Sequence, residues 1–461
     1  MKRILMRSSM HPLKAISAGE AITQDVMNGN TGNMIFAHSI ARALMQEDTV
    51  LDVTKTKRNF SRAEVEKINA EYDCFVIPLA NAFRPNFQDD LDFMTRLIKK
   101  LKIPCIVIGV GVQAKIDESV TKKFEFDDAS TRFIKAVLEK SAMIGVRGEI
   151  TAEYMKKLGF RDEKDFTVIG CPSMYLHGDT VPLKTPVDLT PKSKVSVNRK
   201  INIPPKLHQF IYDASLQFED AMFVPQGIDD LLLLYAGKFI DRSKYPKMHE
   251  TYPWKMDSEI CGSGHEIGFT NVPSWMDFLS QRDFSFGSRI HGNITAVMSG
   301  TPAYIFAPDS RILELARYHN IQHMPAKDIT DTTNIFDVYE KADFTSVQKG
   351  HKERFCHYLD FLEANGLDHA FGPERTDHRT AFDKQLEALT FPGGVTALNL
   401  QDLKEQSDRM YIYYKHIMDQ YGSIHNLERY AKMEKALLSL LNKTPKGLKQ
   451  TIKKSMKRIT D

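Results

Sequence analysis

The sequence predicts an α/β protein made of two doubly wound parallel-sheet domains with a helical C-terminal extension. Three observations predict it. Short apolar runs without polar alternation recur between helical patterns, as strands covered on both faces require. The alternation stops at the proline-bearing stretch 178–193 and then restarts. After about residue 325 the strand signal fades and helical periodicity alone continues. The expected domains are therefore 1–180, 190–325 and a helical extension over 326–461.

In chain order, Ile4–Met6 opens as a short buried strand. The loop Asn28-Gly29-Asn30-Thr31-Gly32-Asn33 leads into a helix carrying Ile35, Phe36, Ile40 and Leu44 on one face. Strands follow at Val50–Val53, Cys74–Leu79, Cys105–Val112, Ala142–Val146 and Phe166–Ile169. Helices fall near Phe87–Leu101, Asp127–Lys140 and Gly148–Leu158. Past the linker come strands Val195–Val197 and Ala221–Val224, with helices from about Pro204 to Gln217 and over Ile228–Lys238. A strand at Glu266–Phe269 and a helix at Ser274–Leu279 precede strands Phe284–Phe286 and Ala303–Ala307. The helix after His291 presents Ile294, Val297 and Met298; Gly300 suits its end and Pro302 blocks continuation. A further helix runs from about Arg311 to His319, capped by Asp309 or Ser310. Phe344–Ala364 and roughly Leu398–Leu441 are expected helices, broken by FPGG at 391–394.

Composition narrows the function classes. A formal net charge of +3 over 461 residues gives no whole-molecule field for nucleic acid. The five cysteines are scattered and form no CxxC pair, which fits a reduced, cytoplasmic setting and neither a disulfide framework nor a zinc site. The N-terminal MKRILMRSS has too short an apolar core for a signal sequence, and no run approaches a membrane span. Residues 441–461 hold seven Lys/Arg against Asp461 alone. Such an end is either a solvated tail or a peripheral contact with the anionic inner face of a membrane. HExxH, a Walker lysine and a G-x-S-x-G elbow are all missing. Cys171 follows an apolar run and is expected in the core.

In open α/β sheets ligands bind where strands end and helices begin. That rule selects Ser288, Arg289 and His291 at one loop and Asp309, Ser310 and Arg311 at the next. It also selects Asn30 and Asn33, Gln113, Arg147, Ser173, Asn198 with Arg199, and Gln226. Arg311 in a first helical turn opposes the helix dipole; either Asp309 or Glu314 pairs with it, or an anion does. Arg147 ends a buried strand before a helix and takes either Glu149 or an external anion as its partner. The first loop is either an ordinary turn or a set of backbone N–H groups for a phosphate.

At this point the chain resembles the polysaccharide pyruvyl transferase family. The likeness is carried by S-R-I-H-G at Ser288–Gly292 and G-T-P-A-Y-I-F-A-P-D-S-R at Gly300–Arg311. The Asn30–Asn33 loop, G-V-G-V-Q at Gly109–Gln113, Val146-Arg147 and C-P-S at Cys171–Ser173 add to it. The resemblance implies two Rossmann-like domains in a GT-B-like arrangement, and transfer of a carboxyvinyl group from phosphoenolpyruvate onto two sugar hydroxyls to give a pyruvate ketal. It implies no obligatory metal or organic cofactor. The acceptor it implies is a capsule, exopolysaccharide or cell-wall glycan precursor, lipid-linked or nucleotide-linked. The residues suit that chemistry, since guanidinium forks fit the carboxylate and phosphate of the donor and histidine can donate a proton. His291 is thus expected as the acid acting on the methylene carbon or on the departing phosphate, with Arg147, Arg289 and Arg311 as the clamp. Asp309 or Glu149 is the candidate base. The alternative function is a GT-B glycosyltransferase using a nucleotide sugar, which needs the same fold and cations near a diphosphate.

Overall fold

A computed structural model describes residues 2–55, 60–114, 116 and 118–421. The first sheet contains β1 (Lys2–Arg7), β2 (Thr49–Thr54), β3 (Cys74–Pro78) and β4 (Cys105–Ile108), all parallel in the order β2-β1-β3-β4. β5 (Ile144–Val146) and β6 (Phe166–Val168) form a parallel pair. A parallel bridge from Val110 to Val146, with the Arg147 N–H donating to the Val110 carbonyl, continues the sheet across to β5. The second sheet has β7 (Lys194–Asn198), β8 (Asp220–Phe223), β9 (Phe284–Gly287), β10 (Ala303–Ala307) and β11 (His323–Pro325) in the order β8-β7-β9-β10-β11. Each sheet therefore starts in the middle, adds its second strand on one side and its third on the other. That reversal opens a crevice at the carboxyl ends of β1/β3 and of β7/β9. Both Rossmann-like halves of the expected fold are present, each parallel throughout.

The core explains the alternation. Ile4, Met6, Val76, Ile106 and Ile108 are all buried, and the strand faces share one apolar cluster with Ile294, Ile305 and Ile312 from the other sheet. Phe355, Tyr358 and Leu359 of the His351–Ala364 helix belong to the same cluster, so the residues after 326 pack back onto the sheets. Polar ties fix the return: the Arg42 guanidinium is paired with Asp377 and Asp383, and Asn365 Oδ1 accepts from the Ala142 N–H at 3.0 Å. The 178–193 stretch carries no strand or helix.

Some expectations change. Glu266–Phe269 is no strand: one residue bridges to Phe223 and Gly268 pairs antiparallel with Val395. The segment is only a link between β8 and residues from beyond the FPGG break. Phe344–Ala364 is split into a 3-10 turn (Phe344–Gln348) and the His351–Ala364 helix, because Gly350 takes φ +67° between them. The last described helix is Leu403–Tyr421; the remainder of the expected Leu398–Leu441 helix and the basic stretch 441–461 lie outside the described residues.

Candidate active site

The crevice between the two sheets holds a cavity of about 350 Å³. Six cations line it: Arg7, Arg84, Arg147, Lys200, Arg289 and Arg311, joined by His291. No lining side chain among the described residues is a carboxylate. Asn28, Asn30, Asn33, Asn81, Gln226 and Ser288 supply the uncharged polar wall.

The β9 loop is built by close approach. Gly287 has φ +149°, and a Cβ there would lie 1.9 Å from the Asn198 carbonyl oxygen, so only glycine lets the ends of β7 and β9 meet. Asn198 Oδ1 then accepts the Arg289 N–H at 2.7 Å, and Ser288 Oγ accepts the Lys200 N–H at 3.1 Å. Arg289 is the N-cap of the Ile290–Met298 helix but has no side-chain capping bond, which leaves first-turn N–H groups facing the cationic cavity. A helix N-terminus joined to guanidinium groups is a strong anion site.

His291 is buried beside Phe36, with ring centroids 6.2 Å apart, and its Nε2 lies 3.7 Å from Cys171 Sγ. Burial, then Arg147, Arg311 and Arg289, push its pKa down to about 3. Arg147 is 2% exposed; its Nε donates to the Gly109 carbonyl at 3.0 Å and its Nη2 is buried without a partner. Burial lowers its pKa as well. Glu149, the internal partner weighed from sequence, is exposed and does not satisfy Arg147 Nη2. Arg311 does pair with Asp309, at 2.9 Å, while its Nη1 lies 2.8 Å from the Asn81 amide oxygen, which also receives Arg84 Nη1 at 3.1 Å. Lys200 is brought down to about 8 by burial and then by Arg311. These mutually repelling cations are held by the fold and want an anion.

A sequence model of the polysaccharide pyruvyl transferases matches residues 30–310. The chain belongs to the polysaccharide pyruvyl transferase family. No curated protein matches it. Among solved structures, a functionally uncharacterised protein of Klebsiella pneumoniae is similar at 13% identity and TM-score 0.37, over 70% of this chain and 93% of that one. The Methanocaldococcus jannaschii UDP-GlcNAc 2-epimerase is similar at 9% identity and TM-score 0.42, over 79% and 99%. The sucrose-phosphate synthase of Thermosynechococcus elongatus gives 10% identity and TM-score 0.41, over 79% and 96%. At these values the likenesses say nothing of chemistry.

Within this pyruvyl transferase family member, the cavity gathers Arg147, Arg289, His291, Arg311, Asn30, Asn33, Gln226 and Ser288 from the sequence-derived set. It does not gather Gln113, Ser173, Asn198, Asp309 or Ser310. Asn198 is buried as the brace described above, and Asp309 caps the Ser310–Tyr318 helix through the Ile312 N–H while pairing with Arg311. Burial alone would raise the Asp309 carboxyl, but Arg311 and Lys200 hold it below its ordinary value. Ser310 Oγ donates to the Ala114 carbonyl at 2.8 Å, tying the two sheets together. Gln113 sits behind the lining, 3.0 Å from the Asn81 amide, and the Ser173 hydroxyl is buried without a partner. Arg199 turns away to the Thr251 carbonyl and hydroxyl.

The first loop is a turn and not a phosphate cradle. Its N–H groups are all engaged: Gly29 on Asp25 Oδ1, Asn30 on Met27 O, Thr31 on Gln226 O, Gly32 on Asn30 Oδ1 and Asn33 on Asn30 O. Its bond to Gln226 fastens it to the opposite sheet. Sequence reasoning misses Arg7, Arg84, Lys200 and Asn81. Arg7 ends β1 and Lys200 lies two residues past β7, so both obey the strand-end rule; Arg84 and Asn81 sit in an irregular loop with no local signal. Among the described residues no group of three or more His, Cys, Asp or Glu side chains is placed to hold a metal, and no helix is long and apolar enough to cross a membrane.

Proposed function

We propose that this family member transfers a pyruvyl group from phosphoenolpyruvate to hydroxyls of a glycan or glycan precursor, forming a pyruvate ketal. The observation that supports the reading is the six-cation cavity with a histidine in its wall and no lining carboxylate among the described residues. Phosphoenolpyruvate brings a carboxylate and a phosphate, and a fixed set of guanidinium groups holds both at once. The first N–H groups of the Ile290–Met298 helix, which has no side-chain cap, and Arg147 Nη2 are donors for those oxygens.

The chemistry then needs a proton and an exit. Protonation of the methylene carbon builds positive character on the neighbouring carbon, which one sugar hydroxyl attacks. Phosphate departs with its bonding pair as a second hydroxyl closes the ketal; of the two hydroxyl protons released, one restores the proton given to the methylene carbon and the other leaves with the phosphate. His291 is the proton donor, to the methylene carbon or to the departing phosphate, and the arginines hold the charge that develops on the phosphate. The acceptor in this reading is a lipid-linked or nucleotide-linked saccharide.

The test is direct. His291→Ala, folded as judged by circular dichroism, is expected to lose ketal formation by about a hundredfold. Arg289→Ala and Arg311→Ala are expected to weaken donor binding by about tenfold each, as lost charge-assisted bonds do. Calorimetry in which phosphoenolpyruvate binds no better than UDP to the wild type would remove the donor assignment.

A further inference from the structure

A second, smaller chamber of about 210 Å³ adjoins the cationic cavity. The two share Arg7, Asn28, Asn33 and Ala80 in their linings, so they form one continuous cleft at the carboxyl ends of β1 and β3. The Phe36 ring stands at the junction: it lines the chamber, lies 6.2 Å from the His291 ring and has the Arg147 guanidinium 6.0 Å from its centroid.

The chamber differs chemically from its neighbour. Its walls are largely thioether and aromatic, from Met10, Met27, Met34 and Phe391, with hydroxyl and amide groups around them; its two cations, Arg7 and Lys55, donate to the Pro78 and Gln24 carbonyls. His38 is 4% exposed and lines it, its ring edge-on to Phe382 at 4.7 Å. No hydrogen bond reaches the His38 ring nitrogens from the described residues. Burial keeps that ring neutral, with a pKa pushed down to about 3, so it can accept a hydrogen bond at neutral pH.

A small anion belongs among the six cations next door, and a lipid chain would leave the His38 imidazole without a polar partner. A pyranose ring fits both features, because its C–H faces are apolar and its rim is hydroxylic. We propose that this chamber is the seat of the acceptor, holding one pyranose ring with a hydroxyl hydrogen-bonded to His38 and its reacting edge turned toward the cationic cavity. The proposal rests on the pyruvyl-transfer reading and adds to it the sugar's place and a specificity-determining residue.

The test uses full-length protein carrying methyl-13C methionine, with Met10, Met27 and Met34 assigned by substitution. A panel of methyl hexopyranosides and methyl N-acetylhexosaminides is titrated with and without phosphoenolpyruvate. At least one member is expected to shift those three methyl signals, with affinity falling at least tenfold in His38→Gln and in Met34→Trp. A panel that moves none of the three signals overturns the chamber. Shifts that persist in Met34→Trp do the same, and shifts that persist in His38→Gln overturn its hydrogen bond. If phosphoenolpyruvate fails to bind the wild type while sugars still shift the methionines, the donor reading falls and the sugar site stands.

Discussion

At the scale of single residues, the proposed role of His291 as proton donor turns on its resting state. An acid must carry a proton, yet burial and three arginines hold this imidazole neutral, with a pKa of about 3. The sign reverses when an anion enters. Burial is the larger cause and persists, but two or more negative charges among Arg147, Arg289 and Arg311 cancel the cation repulsion and attract the proton, so the pKa rises toward the ordinary histidine value. In the proposed reaction the donor thus creates its own acid, and the empty site does not. Binding of phosphoenolpyruvate at pH 6–7 is therefore expected to take up protons. Titration calorimetry in two buffers of different ionisation enthalpy measures the uptake, and His291→Gln should remove it. Uptake that is unchanged in that variant would assign the proton to another group.

At the scale of elements, the site depends on the Gly32–Leu44 helix pressing its first residue against the Ile290–Met298 helix of the other sheet. A Cβ on Gly32 would stand 2.7 Å from His291 Nδ1 and 2.8 Å from His291 Cβ. Gly32→Ala must displace the imidazole, since the Thr31 N–H bond to the Gln226 carbonyl holds the Gly32 backbone in place. Ketal formation is expected to fall at least tenfold, with donor affinity little changed because the arginines do not move. Equal loss of affinity and turnover would show that the whole cleft has opened. The strands and their order of burial were legible in the sequence because residues such as Val107 and Phe286, buried on every side, come only from parallel sheets covered twice. The strand-end rule found His291, Arg289 and Arg147, but it could not tell a side chain left free for a ligand from one spent on holding the loop. Asn198 and Ser310 are of the second kind: their hydrogen bonds join segments 91 and 196 residues apart, and no local pattern records that. Arg84 reaches the cavity through an irregular loop whose path is set by packing alone.

At the scale of the whole molecule, the fold buries imidazoles that stay neutral in the empty protein, and this sets its response to acid. His38 and His291 are held near 3, His208 and His351 near 4, and His319 well below its ordinary value, burial being the main cause in each. In the unfolded chain these groups take up protons near pH 6.5. Below that value the unfolded state binds more protons than the folded one, so stability falls as pH falls, by about 1.4 kcal/mol per pH unit for each net proton. Buried acids oppose the trend. Burial raises Asp230 to about 6, Glu314 to about 7 and Glu266 well above its ordinary value. Their folded forms hold protons that the unfolded chain has lost, so acidification from pH 7 toward 4 favours the fold through them. Below about pH 4 both states carry those carboxyl protons and the offset ends, while the histidines of lowest pKa still resist protonation. Stability is therefore expected to decline gently from pH 6.5 to 4.5 and steeply below, which urea midpoints at unit pH steps would show. A midpoint that rises on acidification to pH 5 would mean that these histidines are charged in the folded protein. His291 among them would then need no incoming anion to act as an acid.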